Sequence, residues 1–284
     1  MSTVAPPFAG LKTVRAAIGY IGDMRDEPYM YYREPPAGEP YTNVIDDPHQ
    51  VDIADLRGHT DRLSVDRDGI AFVRHDHRFA DFEDDDLVRS GYYRDVEQMF
   101  RDFLGVETVI AYDFSVRRPA HGAARPDGIP VAGTRRRPIK RAHGDFIRQS
   151  FEGFVDYFGD RLGPDPLAGR CRAFNFWRPL RGPLTDGPLA LCHPATVVQD
   201  DLVRMRQYND PKDNYICALR HNPDHRWCYL SQMEADEAII FSSYDNAHPE
   251  HRGVVTHCAF DDPGRSADGL PRESIEVRVL VFGG

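Results

Sequence analysis

The feature that most restricts what this chain can fold into lies between residues 172 and 282. Short β-type runs succeed one another there: RAFNFWRPL, LALCHPATVV, YICALRH, RWCYLSQM, EAIIFSSY, GVVTHCAF and SIEVRVLVF. Turn-rich gaps separate them, and no helical periodicity intervenes. Parallel βαβ units would need a helix between strands, so this succession predicts an antiparallel sandwich or barrel, read here as a jelly roll. With 284 residues and 41% hydrophobic content, the chain can bury a full core. No fixed-period repeat or Gly/Ser linker marks a boundary. The expectation is therefore one mainly β unit over 1–284 with flanking helices. Residues 1–135 supply arms, a helix and supporting strands, and 136–284 supply the core.

Upstream, the first 70 or so residues are rich in Pro, Gly and Asp (PPFAG, REPPAGEP, IDDPHQ) and read as extended arms, with a short strand near GIAFVRH at 69–75. From Asp84 to Leu104, Leu87, Tyr92, Val96, Met99, Phe100 and Phe103 fall near helical spacing, which predicts an amphipathic helix packed on the core. VETVIAYDFSVRR at 106–118 reads as a strand, the Gly/Pro/Arg-rich 119–140 as a loop, and Phe146–Leu162 as a second helix.

Several function classes are disfavoured. The net charge of −10 comes from acids spread along the chain, and the basic run RRRPIKR at 135–141 is only local, so no nucleic-acid footprint is expected. No apolar run approaches the roughly 18 residues of a membrane span, and MSTVAPPFAG lacks a signal-peptide pattern, so a cytoplasmic location is expected. Cys171, Cys192, Cys217, Cys228 and Cys258 form no C-x-x-C pair and keep apolar company; they read as small buried hydrophobes.

The chemistry begins at His143-Gly144-Asp145. In extended chain the imidazole and the carboxylate project from one face and can chelate one metal. With 12 His and 45 acidic residues, about two such His-x-acid matches arise by chance, so context must choose. His59-Thr60-Asp61 lies in a Pro/Asp-rich arm, and His248-Pro249-Glu250 sits in a turn close before His257. His143 stands just ahead of the strand-rich half, with room for several strands before a distal ligand. His257, ending a β-branched run in GVVTHCAFDDP, is that ligand. Two histidines and one carboxylate form a facial set suited to non-haem Fe(II). Three positions stay open, two for a 2-oxo acid and one for O2.

Further on, Arg272 and Ser274 sit two apart at the start of the last strand, a guanidinium and a hydroxyl suited to the distal carboxylate of 2-oxoglutarate. Arg278 shares their face by period 2 and is the alternative clamp.

These segments resemble a known family. A strand ending in Arg117, the HxD at His143 and Asp145, NFWRPLRGPLTDGPLALC at 175–192, HRWCYLSQMEADEAIIFSSYD at 225–245, HCAFDDP at 257–263 and RESIEVRVLVF at 272–282 are similar, in combination and order, to one group of iron and 2-oxoglutarate oxygenases. That group includes the aspergillic-acid hydroxylase/desaturase, gibberellin desaturase-like proteins, aziridine-forming valine oxygenases and the cephamycin hydroxylation protein. The resemblance implies a double-stranded β-helix (cupin-like jelly roll), iron at His143, Asp145 and His257, 2-oxoglutarate near Arg272 or Arg278, and hydroxylation, desaturation or ring closure of a small molecule such as an amino acid or specialised metabolite. His193 stands where the family usually has an acid, and Phe146 where it often has Gln; both departures bear on the substrate and leave the triad intact.

Trp177, Arg178 and Tyr229 fall inside the family blocks and are candidate substrate residues. Arg178, a charge within an apolar strand, must meet a carboxylate, either Asp245 or the substrate's. His221 and His225 read as surface or turn residues rather than zinc ligands. The expected partner is a small-molecule substrate, with no nucleic acid or membrane, for a monomer or homodimer. Two other classes stay open: a non-catalytic jelly-roll partner protein, and a metal-dependent hydrolase or isomerase on a cupin-like barrel. Neither would bind 2-oxoglutarate.

Overall fold

A computed structural model describes residues 7–118, 135–136, 138–157, 169–209, 213–248, 253–266 and 269–283. Its strands are β1 (Thr13–Ile21), β2 (Tyr29–Tyr31), β3 (Asp46–Asp55), β4 (Ile70–Arg74), β5 (Thr108–Arg117), β6 (Arg135–Arg136), β7 (His143–Gly144), β8 (Cys171–Pro179), β9 (Leu189–Cys192), β10 (Leu202–Tyr208), β11 (Asn214–Leu219), β12 (Trp227–Tyr229), β13 (Glu237–Asp245), β14 (His257–Ala259) and β15 (Ser274–Phe282). The helices are α1 (Val65–Asp68), α2 (Asp85–Leu87), α3 (Tyr93–Leu104) and α4 (Arg148–Tyr157).

Two sheets face each other as a jelly roll. The larger runs β1-β3-β12-β9-β14-β7-β11-β10-β2, and the smaller β4-β13-β8-β15-β5-β6. Between them lies an apolar core that includes Leu189, Leu191, Cys228, Ile239, Phe241, Val255 and Trp177. The alternation of each strand decides which side chains enter it.

The smaller sheet is covered on its outer face as well. Val88, Tyr92, Val96 and Phe100 pack onto Phe114, Phe174, Phe176, Ile240, Val277 and Val279. This explains why all nine residues of β8 are buried and why CRAFNFWRP shows no polar-out alternation. The expected helix begins where Asp84 caps it by accepting from the backbone N–H groups of Asp86 and Leu87, and ends at Gly105 in the left-handed region. Its buried stripe differs from the expected one. Leu87 is exposed, because a π-helical turn at Val88–Tyr92 resets the phase, and Phe103 is exposed in the last turn of α3.

The arms expected over the first 70 residues are instead largely sheet. β1 pairs along its whole length with β3, and β3 continues into β12. Val14, Ala16, Ile18 and Tyr20 alternate as a strand should, while Pro48 and the acids of DDPHQVDIAD obscure the partner. β1 also returns to β7 and β11: Gly19 bridges Arg141, Ile21 bridges Arg220, and Ala142 N–H donates to Gly19 at 2.8 Å. The larger sheet thereby curls around a second core of Ile18, Tyr20, Ile53, Cys192, Trp227, Tyr229, Cys258 and Phe260.

All five cysteines are buried, as expected of small apolar side chains. The second expected helix is seen as α4; its expected end lies outside the described residues. Among the described residues no helix is long and apolar enough to cross a membrane.

Candidate metal centre

β7 is only two residues long, yet it is held on both sides. His143 is paired with His257 of β14 and with Ala218 of β11, and Gly144 with Cys217. Direct cross-strand pairing puts the two imidazoles on one face with ring centroids 4.5 Å apart. Asp145, two positions on, returns to that face with Oδ1 3.6 Å from His143 Nε2. The three ligand atoms lie within 4.8 Å of one another, the only such group among the described residues. His59 is exposed in a turn, and Pro249-Glu250 lie outside the described residues.

Backbone carbonyls orient both rings. His143 Nδ1 is 2.8 Å from Arg141 O, and His257 Nδ1 is 3.2 Å from Val255 O. A carbonyl can only accept, so each Nδ1 carries the proton and each Nε2 offers its lone pair inward. Burial, then the neighbouring His257, pushes the His143 pKa down to about 4, so this ring is neutral at pH 7. Burial alone would raise the Asp145 pKa, but Arg278, His257, His143 and Asn175 outweigh it and hold the carboxyl well below its usual range.

The donor set suits a divalent first-row metal: two imidazole nitrogens and an ionised carboxylate oxygen, gathered on one side and leaving the opposite side open. A structural zinc site would close all four positions with protein ligands.

The two arginines weighed for the anion clamp have different surroundings. The Arg278 guanidinium is saturated by carboxylates: Nε donates to Asp145 Oδ2 at 2.8 Å, one terminal nitrogen to Asp113 Oδ2 at 2.8 Å, and the other lies 2.7 Å from Glu276 Oε1. Arg272 is 2% exposed and has no carboxylate side-chain partner within 4.0 Å of its guanidinium among the described residues. Its Nε donates to Ser274 Oγ at 2.9 Å and a terminal nitrogen to Gly187 O at 2.7 Å, and the guanidinium lies 4.9 Å above the Trp177 ring. Burial first, then Arg117, pushes its pKa down to about 9 against the opposing pull of Glu276 and Asp186, which leaves it charged at neutral pH with no carboxylate in contact with the guanidinium.

Of the candidate substrate residues, only Trp177 faces the interior, where its ring floors the Arg272 pocket. Arg178 points the other way, as neighbours on a strand must. It lies 5.5 Å from the Phe82 ring and 5.6 Å from the Tyr92 ring, and donates to Ala235 O. Aromatic faces and a carbonyl compensate its burial there, and Asp245 pairs with Arg170 instead. Tyr229 is turned away too. It packs edge-on against Phe260 in the second core, on the face of Cys258 rather than of His257. His225 is not a surface residue: it is buried, paired with Asp201 at 3.1 Å and stacked on Tyr20.

Asn175 is the residue that sequence reasoning missed. Its Nδ2 donates to Asp145 Oδ2 at 2.8 Å, and its Oδ1 accepts from Ser243 Oγ. A lone amide on the face of β8 that it shares with Cys171, Ala173 and Trp177, all apolar, was the available signal.

The chain also stands among known proteins. A model of the family described as "Oxidoreductase/YMDC permease-like domain" matches residues 18–282. The Fe(II)/2-oxoglutarate-dependent dioxygenase nvfI of Aspergillus novofumigatus is 30% identical over 269 residues, covering 90% of this chain and 91% of that protein. The hydroxylase/desaturase poxK of Penicillium oxalicum is 29% identical over 310 residues, with 99% of this chain and 94% of that protein covered. The solved structure of the iron and alpha-ketoglutarate-dependent endoperoxidase NvfI superposes with a TM-score of 0.81 at 27% identity, over 96% of this chain and 98% of that one. This chain belongs to the family of Fe(II)- and 2-oxoglutarate-dependent dioxygenases.

Proposed function

We propose that His143, Asp145 and His257 hold the iron(II), that Arg272 and Ser274 hold the distal carboxylate of 2-oxoglutarate over Trp177, and that the enzyme oxidises a small specialised metabolite. The observation that carries the site reading is the contrast between the arginines: Arg278 is spent on three acids, whereas Arg272 is buried beside a hydroxyl with no acid of its own. The spacing is consistent with this. Asn175, which touches Asp145, is two residues from Trp177 on β8, and a strand advances about 3.3 Å per residue, so the two ends of the pocket lie roughly 7 Å apart. That is the reach of a five-carbon diacid.

Bound iron, with 2-oxoglutarate and O2, supplies the power to oxidise an unactivated C–H bond while the cosubstrate becomes succinate and CO2. The chain's own residues do the rest. The backbone carbonyls of Arg141 and Val255 keep both Nε2 atoms facing the metal, Arg272 and Ser274 fix one end of the cosubstrate, and the apolar walls of Leu191, Ile239 and Phe241 keep water out. The relatives' activities, hydroxylase/desaturase and endoperoxidase, support a substrate of the fungal natural-product kind and leave the outcome of the C–H step to positioning.

The test is anaerobic titration of the iron(II)-loaded protein with 2-oxoglutarate. A weak charge-transfer band at about 500 nm reports 2-oxo-acid chelation to an open ferrous site. The band is expected in the wild type and absent in His143→Ala. No band with iron fully bound would overturn the reading.

A further inference from the structure

We propose that Arg278 and Asn175 are positioning residues that lock Asp145 into single-oxygen ligation of the metal, and that Glu276 fixes Arg278 for this task. The inference rests on the triad reading above.

Both groups act on the same carboxylate oxygen. Oδ2 of Asp145 accepts from Asn175 Nδ2 at 2.8 Å and from Arg278 Nε at 2.8 Å, while Oδ1 is the atom facing His143 Nε2. An ionised carboxylate oxygen has about two lone-pair directions, so Oδ2 is fully committed. It cannot swing round to join Oδ1 on the metal without abandoning a buried amide and a buried guanidinium. The carboxylate would therefore supply one donor to a bound metal and leave the remaining positions to other ligands. A 2-oxo acid and O2 together need three of them.

The locking groups are themselves held. Asn175 is oriented by Ser243, whose hydroxyl donates to its Oδ1. Arg278 donates hydrogen bonds to Asp145 and Asp113, which orient the guanidinium plane, and its third nitrogen forms an ion pair with Glu276 Oε1 at 2.7 Å. Glu276 is 2% exposed and also lies 3.9 Å from Arg117. It lies between the guanidinium groups of Arg278 and Arg117. A lysine at 278 would keep the charge but present a point, not a fork.

The experiment uses cobalt(II) as a spectroscopic stand-in on the full chain, with folding checked by circular dichroism. Wild-type protein is expected to bind cobalt(II) in a manner abolished by His257→Ala; failure of that control would overturn the triad reading itself. Given the control, Arg278→Lys is expected to bind cobalt(II) about 10- to 100-fold more weakly. Its visible bands should shift toward higher coordination number as Oδ2 joins the metal, and 2-oxoglutarate should then perturb them less. Asn175→Ala, which removes a neutral group and threatens folding less, is expected to shift the bands in the same direction, and Glu276→Gln to do so more weakly. Folded Arg278→Lys or Asn175→Ala protein with wild-type cobalt affinity and an unshifted spectrum would overturn the proposal.

Discussion

Gly144 sits between His143 and Asp145, the two neighbouring ligands of the proposed metal site, and replacing it with alanine is the sharpest test of how that site is held. A Cβ there would lie under 3.0 Å from Val254 Cγ1 and 2.7 Å from Cys217 Sγ. Comfortable carbon contact begins at about 3.5 Å, so β7 or its neighbours must give by roughly 1 Å. They have little freedom to do so. Cys217 is 2% exposed and its thiol contacts the carbonyls of Gly144 and Phe146, while Val254 packs at the edge of the loop that delivers His257. Overpacking of this kind costs about 1–3 kcal/mol of stability. The functional loss should be larger in proportion, because the strain falls on His143 and Asp145 together, and a displacement near 1 Å costs on the order of 100-fold in a positioned reaction. Urea unfolding of the metal-free protein would measure the first effect, and the anaerobic 2-oxoglutarate titration the second. Val254→Ala removes the nearer contact, so the double variant should recover part of both losses, with a coupling of about 0.5–3 kcal/mol. Gly144→Ala protein within about 0.5 kcal/mol of wild type and with unchanged iron binding would refute the argument that close packing sets this position.

Two further outcomes follow from the same geometry. Arg272→Leu should raise the apparent KM for 2-oxoglutarate by about 10- to 100-fold, the loss of a charged hydrogen-bonding partner worth about 1.5–3 kcal/mol, while cobalt binding at the triad stays put; an unchanged KM would return the clamp to another residue. The metal-free protein should lose stability as pH falls from about 6.5 to 4. Burial first, with neighbouring positive charge second, pushes His143 and His75 down to about 4, so between those limits the unfolded chain takes up protons that the folded chain refuses. Each ring contributes up to about 3 kcal/mol, and urea midpoints across that window, with His75→Phe to isolate one share, would check the sign; stability that rises on acidification would contradict it.

The parts of the site legible in the sequence are those that two-residue periodicity and ligand chemistry define together. His143 and Asp145 share parity, and His257 closes a β-branched run, so the triad could be assembled without knowing the sheet order. Arg178 and Tyr229 point away from the triad for a reason that spacing does not carry. Alternation tells which residues of a strand share a face, not which face looks inward, and a strand buried on both sides carries no polar mark to decide. Trp177 and Arg178 are adjacent on β8 and face opposite ways; α3 and its aromatic layer make Arg178's side as buried as the other. Tyr229 needed knowledge of the second core, which exists only because β1 returns to β7 and β11, a contact between segments far apart in the chain. β3 was hidden by its own composition, since a strand whose outer residues are Asp46, Pro48, Gln50 and Asp52 reads as a loop.

The choice between Arg272 and Arg278 shows what coordinates add that spacing cannot. Both residues are arginines close to one hydroxyl-bearing strand, and both could form a fork with a carboxylate. A buried guanidinium is stable only if something negative or strongly accepting meets it. Around Arg278 that condition is already met three times over, and withdrawing it toward a cosubstrate would strand Asp145, Asp113 and Glu276 at once. Around Arg272 it is met by a hydroxyl, a carbonyl and an indole face, none of them charged, with Arg117 adding to the positive potential. An arriving dicarboxylate therefore relieves strain at Arg272 and would create it at Arg278. On the proposed reading, cosubstrate binding falls to Arg272 and the positioning of Asp145 to Arg278, so Arg272→Leu and Arg278→Lys are expected to give different losses.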